Sequence, residues 1–164
     1  MAVAELSATR AMASRWAAGF AMAVALGTVG GINWFVVETL LGRFELVRPF
    51  LAAASISIGG LAGYGALIGT GRKRGWQAQG VAVVASLPIL AVAQALVTRL
   101  LFVRELESIG YTGATFRLPI NQWWEYVSWA LFSTSPPAIF FWALALGAAI
   151  AVPRRYPYEE YENR

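Results

Sequence analysis

The residues that could carry out chemistry are few in this sequence. Histidine and cysteine are both absent, which excludes an ordinary zinc site, a His or Cys axial ligand for haem, a His ligand for a chlorophyll magnesium, and a Ser-His or Cys-His nucleophile pair. The only lysine, Lys73, lies in a predicted loop, so a retinal Schiff base within a membrane is excluded as well. We therefore predict no catalytic residue, no metal site and no bound cofactor. The remaining possibility for enzymatic activity is a site in which Tyr, Glu or Arg side chains act on a lipid.

The carboxylates do not form an acid/base pair. Glu105 and Glu107 are two residues apart, which points them to different sides of a helix. No predicted spanning segment carries Asp or Glu at membrane depth, whereas proton pumps and coupled transporters normally need buried ionisable groups. The net charge of +4 is spread over segment ends instead of forming a basic stripe, so we expect no nucleic-acid partner.

The elements that must position these residues are long apolar runs. The chain is 58% hydrophobic and 13% charged, against about 25% charged residues in an ordinary soluble domain. These runs predict an all-α integral membrane protein with four transmembrane helices, at residues 16–37, 50–70, 78–103 and 136–152, and a polar tail at 153–164. The first run is longer than a signal-peptide core, which favours a retained helix over a secretory signal. Pro88 predicts a mild kink in the third helix.

An aromatic segment precedes the last run. Residues 121–133 are too few to span a bilayer, and Trp123, Trp124 and Trp129 are of the type that membrane interfaces enrich. This composition predicts a short helix on the outer membrane surface, with Asn121 as its N-cap. The alternative is one long helix, formed by this segment and the last run together and kinked at the prolines of positions 136 and 137.

The distribution of basic residues predicts the orientation. With both termini in the cytoplasm, the inner side collects eight cations and the outer side five, and the outer five are matched by carboxylates. The asymmetry is clearest at residues 71–75, a short loop with three cations and no acid. The inner cations are Arg10, Arg15, Arg72, Lys73, Arg74, Arg154, Arg155 and Arg164, and the outer ones are Arg43, Arg48, Arg99, Arg104 and Arg117.

Small residues recur every four positions in the first two helices. Such rows let two helix backbones approach closely in lipid, where apolar burial gives no net attraction between helices. They predict a tight hairpin of these two helices, although a Gly- and Ala-rich membrane protein also shows such spacing by chance. The rows comprise Gly19, Ala23, Gly27 and Gly31 in the first helix and Ser55, Gly59 and Gly63 in the second, with a weaker row of Ala143, Gly147 and Ala151 in the fourth.

Two amides fall within or near the predicted spans. Asn33 could form a hydrogen bond across helices or to a ligand, but its place beside Trp34, one turn before the end of the first helix, favours an interfacial residue facing lipid headgroups. Gln94 lies near the middle of the third helix. Amides at such depth usually pair within the bundle, and a role in transport or quinone binding is the less favoured interpretation.

A resemblance covers residues 12–70. A Gly-x-x-Asn-Trp sequence ends at Trp34, and a second run contains Gly-Leu-Ala-Gly-Tyr ending at Tyr64. Both resemble motifs of a family of short two-helix bacterial membrane proteins of unknown function. The chain departs from that pattern at Phe35, where the family usually has glycine. The resemblance implies a helical hairpin in a bacterial inner membrane, and it implies no chemistry.

Two classes of function fit these observations. The first is a non-catalytic accessory subunit of a larger bacterial complex, respiratory or photosynthetic, that acts by helix packing and by contact with lipid or pigment. The second is a small homo-oligomeric carrier, channel or lipid-binding protein. In both cases we expect a multi-pass protein of the bacterial inner membrane, with membrane lipids as partners and, in the first case, larger membrane subunits.

Overall fold

The computed structural model describes residues 2–44, 46–111, 113, 115–117 and 119–154, and all regular structure within them is helical. The prediction of an all-helical chain is thereby confirmed. The elements are α1 (Ala2–Leu41), α2 (Arg48–Leu51), a 3-10 turn (Ala52–Ser55), α3 (Ile56–Gly69), α4 (Trp76–Ser108), α5 (Ile120–Phe132) and α6 (Pro136–Ala151).

Three helical stretches are long and apolar enough to cross a membrane: Met12–Leu41, Ala52–Gly69 and Trp76–Ser108. The pair formed by α5 and α6 adds a fourth if it is counted as one bent span. At 1.5 Å per residue, the 40 residues of α1 extend for about 60 Å and the 33 residues of α4 for about 50 Å, longer than a hydrocarbon core of about 30 Å. Helix α4 continues through Pro88 without a break.

Helix α3 lies at the centre of the bundle. It contacts α1 most extensively and also packs against α6 and α4. Two groups of buried residues fill the space between these helices. One is built from small side chains, Ala23, Ala62, Ala66, Ala82, Ala85 and Ala149. The other group is built around the large side chain of Trp34. It comprises Trp34, Ile58, Leu90, Ala93, Val97 and Ala145.

The contact between α1 and α3 is made by backbone atoms meeting at glycines. A Cβ atom built on Gly65 would collide with the carbonyl of Met22, and one built on Gly69 would lie 2.5 Å from the carbonyl oxygen of Ala18. On the other helix, a Cβ atom at Gly30 would lie 2.7 Å from the backbone nitrogen of Ile58. Glycine is therefore required at each position for the helices to come this close.

A second face of α3 packs against α6. A Cβ atom built on Gly59 would collide with the carbonyl of Ala145, and one on Gly63 would lie 3.2 Å from the carbonyl oxygen of Ala149. The predicted row of Gly59 and Gly63 thus lies against the last helix, while Gly65 and Gly69 serve the contact with α1. Helix α3 consequently carries two glycine faces, one for each of two neighbours.

Helices α5 and α6 meet at 98°. The turn is set by Pro136 at the start of α6, because a proline disfavours the helical conformation of the residue before it, and Ser135 has an extended ψ of 150°. Helix α5 begins at Ile120, one residue before the predicted start. Its N-cap is Pro119, with no side-chain cap bond, so Asn121 lies inside the first turn and the prediction that it caps the helix is wrong.

Candidate functional site

The predicted small-residue rows occupy three different environments. Gly19 and Ala23 face α3, where a Cβ atom on Gly19 would lie 2.6 Å from Cγ2 of Thr70. Gly27 faces both α3 and α4, since a Cβ atom there would lie 3.3 Å from Cβ of Ala62 and 2.7 Å from Cδ1 of Ile89. Gly31 faces α4, where a Cβ atom would lie 3.3 Å from Cγ2 of Ile89. Ser55 is fully buried.

The row on α6 differs from those on α1 and α3. Ala143, Gly147 and Ala151 are exposed on the outside of the bundle. A Cβ atom built on Gly147 would meet nothing within 4 Å among the described residues. This row is therefore left uncovered within the part of the chain that the structure describes.

The two amides make hydrogen bonds of different kinds. Asn33 is exposed, and its Nδ2 lies 3.4 Å from Oγ of Ser57 on α3. Gln94 is only 8% exposed, and its Nε2 donates to Oγ1 of Thr98 one turn later, at 3.1 Å. The Gly-x-x-Asn-Trp motif is thus a packing element, since Gly30 contacts Ile58, Asn33 reaches Ser57 across the helices, and Trp34 is 1% exposed.

Helix α5 presents three distinct sides. Trp123 and Tyr126 are partly buried and Ala130 is fully buried, where the helix packs on α4. Trp124 and Leu131, two turns apart, form an exposed apolar side, and Trp129 is exposed as well. The remaining side carries the polar residues Asn121, Gln122 and Glu125 together with Trp129, which lies one turn after Glu125.

The end of the bundle that holds the last turns of α1 and α4 lies away from the α3–α4 loop and is named the opposite end. There, Arg104 joins α4 to the end of α1. Its Nη1 donates to the carbonyl of Glu38 at 3.1 Å and its Nη2 to that of Thr39 at 2.7 Å. Glu38 is only 4% exposed, because α1 continues to Leu41 instead of ending before this residue. The positive charge of the guanidinium thereby compensates the partial negative charge of the carbonyl groups at the C-terminal end of α1.

Arg99 has a similar role beside α5. Its Nη2 donates to the carbonyl of Thr115, and its guanidinium carbon lies 5.6 Å from the ring centre of Phe102 and 5.7 Å from that of Tyr126. The side chain therefore links α4 to the connection before α5 and to α5 itself.

The other end, called here the basic end, consists of residues 12–19, 70–78 and 149–154, and it contains a cleft of about 1280 Å³. Residues from α1, α3, the α3–α4 loop and the start of α4 line this cleft. They include four cations and no carboxylate. The lining residues are Met12, Arg15, Trp16, Tyr64, Leu67, Ile68, Thr70, Arg72, Lys73, Arg74, Gly75, Trp76, Gln77 and Ala78.

A tight turn at the end of α3 places the loop cations beside α1. The backbone N–H of Arg72 donates to the carbonyl of Leu67 at 2.7 Å, and that of Gly71 donates to the carbonyl of Ile68 at 3.0 Å. This pair of bonds is a Schellman motif, with Gly71 at the left-handed φ of 71° that glycine favours. Buried Thr70 sits directly before the turn.

The loop is also fixed to the end of α6. The N–H of Gly75 donates to the carbonyl of Pro153 at 3.0 Å, and Nη1 of Arg74 donates to that of Arg154 at 3.2 Å. Nε2 of Gln79 donates to the carbonyl of Ile150 at 3.1 Å. The α3–α4 loop is therefore held on both sides.

The chemistry available in the cleft is the binding of an anion attached to an apolar group. Arg72 and Lys73 are exposed, and Tyr64 and Trp76 are 51% and 78% exposed beside them. From the sequence alone, the basic loop predicts membrane orientation, and its proximity to Trp16 and Tyr64 in the cleft emerges only from the fold. The Gly-x-x-Gly-Tyr sequence and the basic loop were the available signals.

Within the described part of the chain, no group of three or more His, Cys, Asp or Glu side chains could hold a metal ion. The described residues of the cleft supply cations and aromatic rings. No protein-family model matches this sequence, and no curated protein and no solved structure matches it.

Proposed function

We propose that this chain is a non-catalytic accessory subunit of a larger bacterial membrane complex, respiratory or photosynthetic, acting by helix packing and by contact with lipid or pigment. In this proposal α1, α3 and α4 cross the inner membrane, α6 forms a fourth and shorter span, and both termini lie in the cytoplasm. The basic end then faces the cytoplasm, as the excess of cations favours. A reporter inserted at residues 71–75 and found outside the cell would contradict this orientation.

The shape of α5 supports a position along the outer surface. Because α5 and α6 are nearly perpendicular, α5 runs parallel to the membrane plane if α6 crosses it. Its packed, apolar and polar sides then face α4, lipid and water respectively. The exposed rings of Trp124 and Trp129 lie at the level where interfacial aromatic residues are enriched.

The observation that carries the accessory role is the uncovered row on α6. The rows of α1 and α3 are covered within the chain, whereas Ala143, Gly147 and Ala151 face outward. A helix of another subunit could approach this face as closely as α3 approaches α1, gaining van der Waals contact that lipid chains do not match.

The experiment is affinity purification of the tagged full chain from native membranes in mild detergent, comparing Gly147→Leu with wild type. A Cβ atom at this position meets nothing within 4 Å in the described chain, and the position is exposed, so the bundle should stay intact while the outward face is blocked. We expect wild type to carry large subunits in fixed ratio, containing haem, flavin or pigment, and the variant to lose at least nine-tenths of them.

The matched control is Gly80→Leu, which places the same side chain on an exposed glycine of α4 that also has open space around it. This variant should keep its partners. Equal loss in both variants would contradict a role for the α6 face. Recovery of further copies of this chain and no other protein would favour the homo-oligomeric alternative instead.

A further inference from the structure

The cations of the basic end surround one side of the cleft. Arg15 comes from α1, and Arg72 and Lys73 come from the loop that the Schellman motif turns toward that helix. Among the described residues that line the cleft, none carries a carboxylate. The exposed guanidinium and ammonium groups can therefore donate hydrogen bonds to one anion from two directions.

Another part of the cleft lining continues along α3. Tyr64 lies six residues before Thr70, about 9 Å along the helix axis. Ile68, between them, is 40% exposed. Below the cations, the cleft is thus bordered by a phenol ring and aliphatic side chains on a helix that is apolar enough to span a membrane.

The size of the cleft favours an anion that carries a large apolar group. At about 1280 Å³, it exceeds the range of about 300–1,000 Å³ typical of small-molecule pockets. An inorganic phosphate ion would fill a small part of this volume and would leave the aromatic and aliphatic walls unused. A phosphate that carries a glycerol group and acyl chains would contact both parts.

We propose that this cleft is a binding site for an anionic phospholipid of the surrounding leaflet. Arg15, Arg72 and Lys73 hold the phosphate, Trp16 and Trp76 lie beside the headgroup, and an acyl chain runs along Tyr64 and Ile68. Basic pockets between membrane helices recognise phospholipid headgroups in this way. The inference rests on the membrane location within the proposed function, and it does not depend on the partner subunit.

The test is native mass spectrometry of the full chain released from nanodiscs that contain equal parts of phosphatidylglycerol and phosphatidylcholine. Wild type should retain phosphatidylglycerol selectively. The double variant Arg72→Gln/Lys73→Gln should retain about 30-fold less, because each basic residue near a membrane surface contributes about a factor of five to the binding of anionic lipid.

The matched control is Arg43→Gln/Arg117→Gln, which removes two exposed cations from the opposite end and should keep wild-type retention. Both variants should keep the circular-dichroism spectrum of the helical wild type. Equal loss in both variants would show a general effect of surface charge and would overturn the site. Tyr64→Ala preserves every charge and should still lower retention several-fold; unchanged retention would overturn the acyl-chain part.

A second arm distinguishes lipid from free phosphate. Excess inorganic phosphate should leave the retained phosphatidylglycerol in place, whereas displacement by phosphate would show that the cleft recognises the ion alone and would overturn the proposal. If wild type retains no phosphatidylglycerol selectively but still co-purifies with partner subunits, this inference is contradicted and the proposed function stands. If wild type retains the lipid selectively but co-purifies with no partner subunit, the accessory role alone is contradicted.

Discussion

The two ends of the helical bundle use their basic side chains differently. At the opposite end, Arg104 and Arg99 donate to backbone carbonyls of their own chain and join α4 to its neighbours. At the basic end, Arg72 and Lys73 are exposed beside an open cleft, while Arg74 donates to the carbonyl of Arg154.

This difference separates cations that hold the fold from cations that are available to a ligand. A guanidinium at the carbonyl end of a helix satisfies backbone groups and opposes the negative end of the helix dipole. An exposed cation contributes little to stability, because water solvates it equally well in the unfolded chain. We therefore expect substitutions at the two ends to affect different measurements.

The largest effect is expected for Arg104→Met. The substitution removes two charge-assisted hydrogen bonds to backbone carbonyls at the end of α1. The free energy of unfolding should fall by about 3 kcal/mol. The measurement is unfolding by titration of a denaturing detergent into mixed micelles, followed by circular dichroism.

Arg117→Met is the control, since it removes an exposed cation from the same end. It should change the unfolding free energy by less than about 0.5 kcal/mol. If Arg104→Met were as stable as this control, the arginines of the opposite end would not hold the fold and the contrast between the ends would be lost.

A smaller effect is expected for Gly71→Ala, which tests whether the turn that presents the loop cations is rigid. Alanine at the left-handed φ of 71° should lower the unfolding free energy by about 1 kcal/mol. Gly80→Ala, on a helix with open space around it, should raise that free energy by about 0.5–1 kcal/mol. Similar changes in both would argue against a conformational role for Gly71.

The smallest effect on stability is expected for Arg72→Gln/Lys73→Gln. Because both side chains are exposed, the free energy of unfolding should change by less than about 0.5 kcal/mol in the same titration. A loss comparable with that of Arg104→Met would show that the cations of the basic end also hold the fold. The distinction drawn between the ends would then be invalid.

The sequence predicted the helical class because long apolar runs have few structural alternatives. It could not identify the partner of each packing face. Gly59 and Gly63 are spaced for close contact, but that spacing is the same whether the neighbour is α1 or α6. The second pair, Gly65 and Gly69, has the same four-residue separation on another side of α3, and only the tertiary structure shows which side meets α1.

The candidate site was harder to predict for a related reason. Trp16 and Tyr64 are far apart in the sequence, and they share the cleft because α1 and α3 come into backbone contact between them. The predicted first span covers residues 16–37 and leaves Glu38 outside it. The structure buries Glu38 because α1 continues to Leu41, and Arg104, from a distant part of the chain, donates to its carbonyl.

The two glycine faces of α3 have a consequence for biosynthesis. The face toward α1 can be covered as soon as α3 has been made, because α1 is synthesised before α3. The face of Gly59 and Gly63 has to wait until residues 136–151 have been translated and inserted. Until then its backbone groove is open to lipid chains or to another newly made helix, so the bundle closes only after α6 has been inserted.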